Sequence, residues 1–168
     1  MTIHDHGQLL QALHRTVEGD LWAPTKYPSS INKTPAVLTV PGPATHYAET
    51  NDRGDRYTPR EYYAHLYYTP IAKGMTWHNL EGVYELAETI VAKYHAAAQD
   101  QDNCDSGLLR YIGGTEITLP ADYDTNYPYI MYDEENPIGD DGLEPIGYSG
   151  KTYVGFTFTV RIMDATEI

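Results

Sequence analysis

Thr152-Tyr-Val-Gly-Phe-Thr-Phe-Thr-Val-Arg-Ile-Met163 decides the fold class. Val154, Phe156, Phe158, Val160 and Ile162 alternate with Tyr153, Gly155, Thr157, Thr159 and Arg161, the period of two expected of a strand with one face in a core. The stretch Glu61-Tyr-Tyr-Ala-His-Leu-Tyr-Tyr-Thr69 repeats the pattern with bulkier residues. Tyr62, Ala64, Leu66 and Tyr68 fall on one side and Tyr63, His65 and Tyr67 on the other, so both faces are expected to be covered. Pro35-Ala-Val-Leu-Thr-Val40 is a third β-rich run, which Pro41-Gly-Pro43 is expected to end. Shorter runs follow at Leu108 to Ile112 and Thr115 to Leu119, joined by a Gly113-Gly114 turn, and at Pro128 to Tyr132.

Two stretches have helical rather than strand periodicity. From Asp5 to Gly19, Leu9, Leu10, Leu13 and Val17 share a face, with Asp5 as N-cap and Gly19 as stop. From Asn79 to Ala98, Leu80, Val83, Tyr84, Ala87, Ile90, Val91 and Tyr94 follow the i, i+3, i+4, i+7 rule, with Asn79 as cap. Residues 20–34 read as a proline-bearing connector, and residues 45–60 as a polar excursion around Asn51-Asp-Arg-Gly-Asp-Arg56. The expected fold is α+β: a mainly antiparallel β-sheet with two helices packed on one face and long loops.

The 168 residues suit a single domain, 1–168. Eleven Lys and Arg against 24 Asp and Glu give a net charge of −13, which disfavours a protein that binds nucleic acid by neutralising phosphates. No apolar run approaches the ~20 residues needed to cross a bilayer, and Met1-Thr-Ile-His-Asp-His-Gly7 has no signal-peptide pattern. The expectation is therefore a protein made in a cytoplasm, with no membrane partner. The single Cys104 allows neither an intrachain disulfide nor a cysteine-based zinc site.

Motifs for chemistry are missing from the sequence. The histidines show no H-E-x-x-H or H-x-x-E-H spacing, and His4 and His6 alone make a weak metal pair. There is no G-x-S-x-G elbow, P-loop or dinucleotide fingerprint. Arg53-Gly-Asp55 and the sequon Asn32-Lys-Thr34 are matches short enough to arise by chance. The expectation is no catalytic residue, no metal and no cofactor.

Charge and tyrosine are unevenly placed instead. Between Arg110 and Lys151 there is no basic side chain, whereas Glu116, Asp122, Asp124, Asp133, Glu134, Glu135, Asp140, Asp141 and Glu144 fall in that window. Asp133, Glu134, Glu135, Asp140 and Asp141 are the densest candidates for an acidic face or lumen; a calcium site stays a third reading, although residues 133–144 lack the spacing of a calcium loop. Solvated loop acidity is the plain alternative. The 16 tyrosines against two phenylalanines suit half-buried sheet faces and subunit contacts, because the ring is apolar and the hydroxyl polar. Tyr62, Tyr63, Tyr67 and Tyr68 are the interface candidates, with core and contact roles divided between them.

The N-terminal helix, Pro35–Val40, Glu61–Thr69, the helix at 79–98 and the closing strand, in that order, resemble the tail-terminator (tail completion) family of tailed bacteriophages. The resemblance implies a structural virion protein at the head-proximal end of the tail, forming a hexameric ring. Such a ring sits on the tail tube protein, ends tube polymerisation and offers a docking surface to a neck or head-completion protein. DNA would pass through without specific binding. Two other readings stay open: a neck or head-completion (head–tail connector) ring, and a small cytosolic enzyme or ligand-binding domain.

Overall fold

The computed structural model describes residues 3–45, 56–57, 59–72, 80–98, 129–132, 134–163 and 165–166. The elements are α1 (Ile3–Arg15), β1 (Ala36–Ala44), β2 (Arg56–Tyr57), β3 (Arg60–Pro70), α2 (Glu81–Ala97), β4 (Tyr129–Met131), β5 (Gly139–Asp140), β6 (Glu144–Tyr148), β7 (Lys151–Met163) and β8 (Ala165–Thr166). The Asn79 cap, the 108–119 hairpin and most of the 45–60 excursion lie outside the described residues.

The alternating stretch near the C-terminus is β7, and it organises the sheet. It pairs antiparallel with β3 along one side, from Arg60↔Ile162 to Pro70↔Tyr153. Its other side is covered in three pieces: β4 against Met163 to Arg161, β5 against Thr159 and Phe158, and β6 against Gly155 to Lys151. β1 pairs antiparallel with β3 and forms the far edge. A separate two-stranded pair joins β2 to β8.

Both helices cover one face, as the α+β pattern predicts. Leu9, Leu10 and Leu13 of α1 and Val83, Ala87, Ile90 and Tyr94 of α2 pack with Val37, Tyr62, Ala64, Leu66, Phe158, Val160 and Ile162 in one cluster. The alternation in β3 and β7 is what delivers those side chains to a single face. Tyr94 and Phe158 meet edge-on, with ring centroids 6.0 Å apart, a favoured aromatic geometry. A second cluster lies on the other face, where Ile31 of the connector covers Ala36, Leu38, Tyr67 and Tyr153.

The structure corrects four boundaries. α1 starts at Ile3 and ends at Arg15, so Asp5 is inside it and Gly19, at φ 107°, lies beyond it. β1 continues through Pro41-Gly-Pro43 to Ala44, with a shift of register against β3. Proline is compatible with an edge strand because a position facing away from the sheet needs no donor. The acidic stretch read as a loop contains β5 and β6. Ser149 and Gly150, at φ 49° and 80°, form the tight turn joining β6 to β7, the positive-φ pair that the twist of a two-residue hairpin selects.

Gly155 is required by a close approach. In β3 the register slips between Tyr67 and Thr69, and Gly155 sits opposite Tyr67. A Cβ at Gly155 would collide with the Leu66 carbonyl, so the two longest strands can touch there only because a side chain is missing.

Candidate functional site

Behind the edge strand lies a buried polar network. Gln11 of α1 donates from Nε2 to the carbonyls of Pro24 (2.8 Å) and Val37 (3.1 Å). Its Oε1 accepts from the Thr39 hydroxyl and from His14 Nδ1, each at 2.9 Å. Because an amide oxygen only accepts, His14 carries its proton on Nδ1. Nε2 is then free to accept the Tyr94 hydroxyl at 2.6 Å. Burial holds His14 down at about 3, with Arg15 adding to the effect, and pushes Tyr94 well above the usual phenol range. The network is therefore neutral, and it ties α1, α2, β1 and the connector together.

Gln11 and Thr39 of this network also line a cleft of about 550 Å³ beside β1, between α1 and the connector, bordered by Gln8, Pro24, Lys26, Tyr27, Leu38 and Pro41. Four of its polar side chains, Gln8, Gln11, Tyr27 and Thr39, are already committed, and Lys26 stands exposed at its border. Gln11 makes the four bonds above, Gln8 Nε2 donates to the Thr25 carbonyl at 2.7 Å, and the Tyr27 hydroxyl donates to the Thr39 carbonyl. The β1 edge is blocked too. Trp22 bridges to it and accepts from Val37 N–H at 2.9 Å, Gln11 and Tyr27 occupy the Val37 and Thr39 carbonyls, and two prolines follow. Such features oppose addition of another strand.

A second groove, of about 400 Å³, lies at the opposite edge, between α2 and β5. Its floor is Ala87, Val91, Phe156 and Phe158, and Glu88 and Asp140 stand exposed at its rim. His95 also lines it, and its ring tilts over Tyr132 at 4.5 Å, where Tyr132 is 54% exposed.

On the face away from the helices, Arg161 donates to Glu61 Oε1 at 2.9 Å and to Asn136 Oδ1 at 2.8 Å. The Asn136 bond, with β5 pairing, holds the acidic stretch along β7. Tyr63 donates to Glu61 Oε2 at 3.3 Å, and His65 Nδ1 and Thr157 Oγ1 lie 2.9 Å apart. Burial keeps His65 below the usual imidazole range against the opposing pull of Glu144 and Asp141. Burial, then the Glu61 and Asp141 carboxylates, raise Tyr63. Tyr67 is pushed up to about 12 by burial and by Tyr148, Tyr27 and Tyr153.

The residues singled out in the sequence are thus separated. Tyr62 is fully buried under the helices, and Tyr67 is buried in the second cluster, edge-on to Tyr153 at 5.5 Å. In the expected division of the four tyrosines between core and contact roles, these two take the core positions. Tyr63 and Tyr68 stay half-exposed on opposite faces. Glu134, Glu135, Asp140 and Asp141 are all exposed; Asp133 lies outside the described residues. Among the described residues no three His, Cys, Asp or Glu side chains converge as metal ligands, and no helix is long and apolar enough to cross a membrane. The sequence reading missed the α2–β5 groove and the network. Its own signal for the latter was His14, placed four residues after Leu10 on the apolar face of α1. No protein-family model matches the chain, and no curated protein is detectably similar to it in sequence.

Proposed function

We propose that the chain is a non-catalytic ring subunit of a tailed-phage virion, of the tail-terminator kind, that caps the tail tube and presents a docking surface to the neck. The observation that carries the reading is the unlike character of the two sheet edges. Lys26 and the exposed Tyr27 stand beside β1, and the groove with Glu88 and Asp140 lies beside β5. Unlike surfaces on opposite sides of a protomer favour head-to-tail contacts, which give rings where the rotation between copies closes. The α+β order of elements agrees with the resemblance. In this reading Glu134, Glu135 and Asp141 face the channel or a ring face, where negative charge repels passing DNA phosphates.

The ligand-binding reading draws on the 550 Å³ cleft. A pocket that selects a small molecule needs several polar groups aimed into it, and here Gln8, Gln11, Thr39 and Tyr27 are spent on the protein itself, which leaves the exposed Lys26 at the border. The structural reading is therefore preferred. Electron microscopy of tails carrying a labelled copy tests it: density at the head-proximal tail end supports the terminator, and density at the head vertex alone supports the neck ring instead. Replacing Glu134, Glu135 and Asp141 by Gln, Gln and Asn should leave ring assembly intact and alter DNA delivery; unchanged delivery contradicts the channel role.

A further inference from the structure

We infer that the α2–β5 groove receives the Lys26–Tyr27 corner of a second copy of this chain; the inference rests on the ring reading and specifies its contact. The groove has an apolar floor of Ala87, Val91, Phe156 and Phe158, with Tyr84 and His95 also lining it and the carboxylates of Glu88 and Asp140 at its rim. An occupant must bring an apolar or aromatic group with a positive charge beside it. The corner has both in adjacent residues: Lys26 is exposed, and the Tyr27 ring is 59% exposed. A two-fold contact at the groove would set each Glu88 and Asp140 against the same acidic rim, and like charges facing each other are unfavourable. The charge pattern therefore selects a contact between different surfaces of two copies.

The corner is also held ready. Gln8 fixes the Thr25 carbonyl at 2.7 Å and Gln11 the Pro24 carbonyl at 2.8 Å. The Tyr27 hydroxyl is bound to Thr39 and the Tyr148 hydroxyl to the Pro28 carbonyl. A rigid aromatic with its hydroxyl already satisfied loses little freedom on docking and leaves its ring for the partner. The order β1-β3-β7, with β5 beyond β7, puts corner and groove on opposite edges, so each copy can give and receive the same contact.

The test mixes nitrogen-14 and nitrogen-15 protein, assembles it, and applies a zero-length carbodiimide that joins amines to carboxylates in contact. Peptides linking Lys26 of one isotope to Glu88 or Asp140 of the other are the expected product. Lys26→Glu and Glu88→Lys should each weaken assembly about tenfold or more, and the double variant should recover most of the loss. Melting temperatures report that each variant folds, and the charge-removing pair Lys26→Met and Glu88→Gln repeats the test if a reversal does not. Assemblies lacking those cross-links, or single variants that assemble like the parent, overturn the contact while leaving the ring reading standing. Cross-links from Glu88 to a tail tube protein instead would also overturn it. Failure of the parent chain to assemble even on tails overturns the ring reading itself.

Discussion

His14 Nε2 accepts the Tyr94 hydroxyl at 2.6 Å, joining α1 to α2 through two side chains that are both fully buried. Burial holds the imidazole neutral, and donation from Nδ1 to Gln11 fixes its tautomer.

Stability should therefore fall as the solution is acidified. His14 has an ordinary value of 6.5 when unfolded and about 3 when folded, so between those limits the unfolded chain binds the proton and the folded chain does not. The contribution is fully present above pH 6.5 and is lost toward pH 3, at up to about 1.4 kcal/mol per pH unit. Urea midpoints of the parent and His14→Gln, compared at pH 7 and 5, isolate the effect: the parent should lose more. Equal losses would contradict it.

Tyr94→Phe keeps the ring against Phe158 and removes the donor to His14. Leaving that buried nitrogen without its hydrogen bond should lower stability by about 1–3 kcal/mol, read from the urea midpoint with unchanged slope. A neutral substitution would show that the hydroxyl is not what joins the helices.

Gly155→Ala should destabilise by more than about 2 kcal/mol, because the added methyl meets the Leu66 carbonyl, a backbone atom that cannot rotate away. Gly147→Ala is the control: its Cβ would come no closer than 3.9 Å to the Lys151 carbonyl, an ordinary contact. Thermal melting of the two should separate clearly.

Among the tyrosines, Tyr62→Ala should cost about 3–5 kcal/mol as a core truncation, with Tyr67→Ala nearer the lower figure. Tyr63→Ala, on the half-exposed face, should cost about 1 kcal/mol or less. If Tyr63→Ala unfolds the domain, its availability for contacts between chains is refuted.

The parts of the fold that were legible in sequence are those with sustained periods. β7 alternates over its whole length, β3 does so until the slip after Tyr67, and α2 keeps its apolar stripe. β6 was hidden because Glu144-Pro-Ile-Gly-Tyr148 is short and carries residues that usually break strands; Ser149-Gly150, a turn dipeptide before the longest strand, was its overlooked signal. β1 was cut short because proline reads as an end until the strand is known to be an edge. The network could not be read, since His14 and Tyr94 are 80 residues apart and no spacing rule joins them. The groove is likewise a product of topology: Asp140 reaches α2 only because β5 pairs with Phe158.

Native mass spectrometry of the purified chain, with and without isolated tails, joined to electron microscopy of the tail end, tests the ring most directly. The expected result is a closed ring, six copies by the resemblance, seated on the head-proximal end of the tube. A chain that stays monomeric at high concentration and leaves no density on the tail would contradict it.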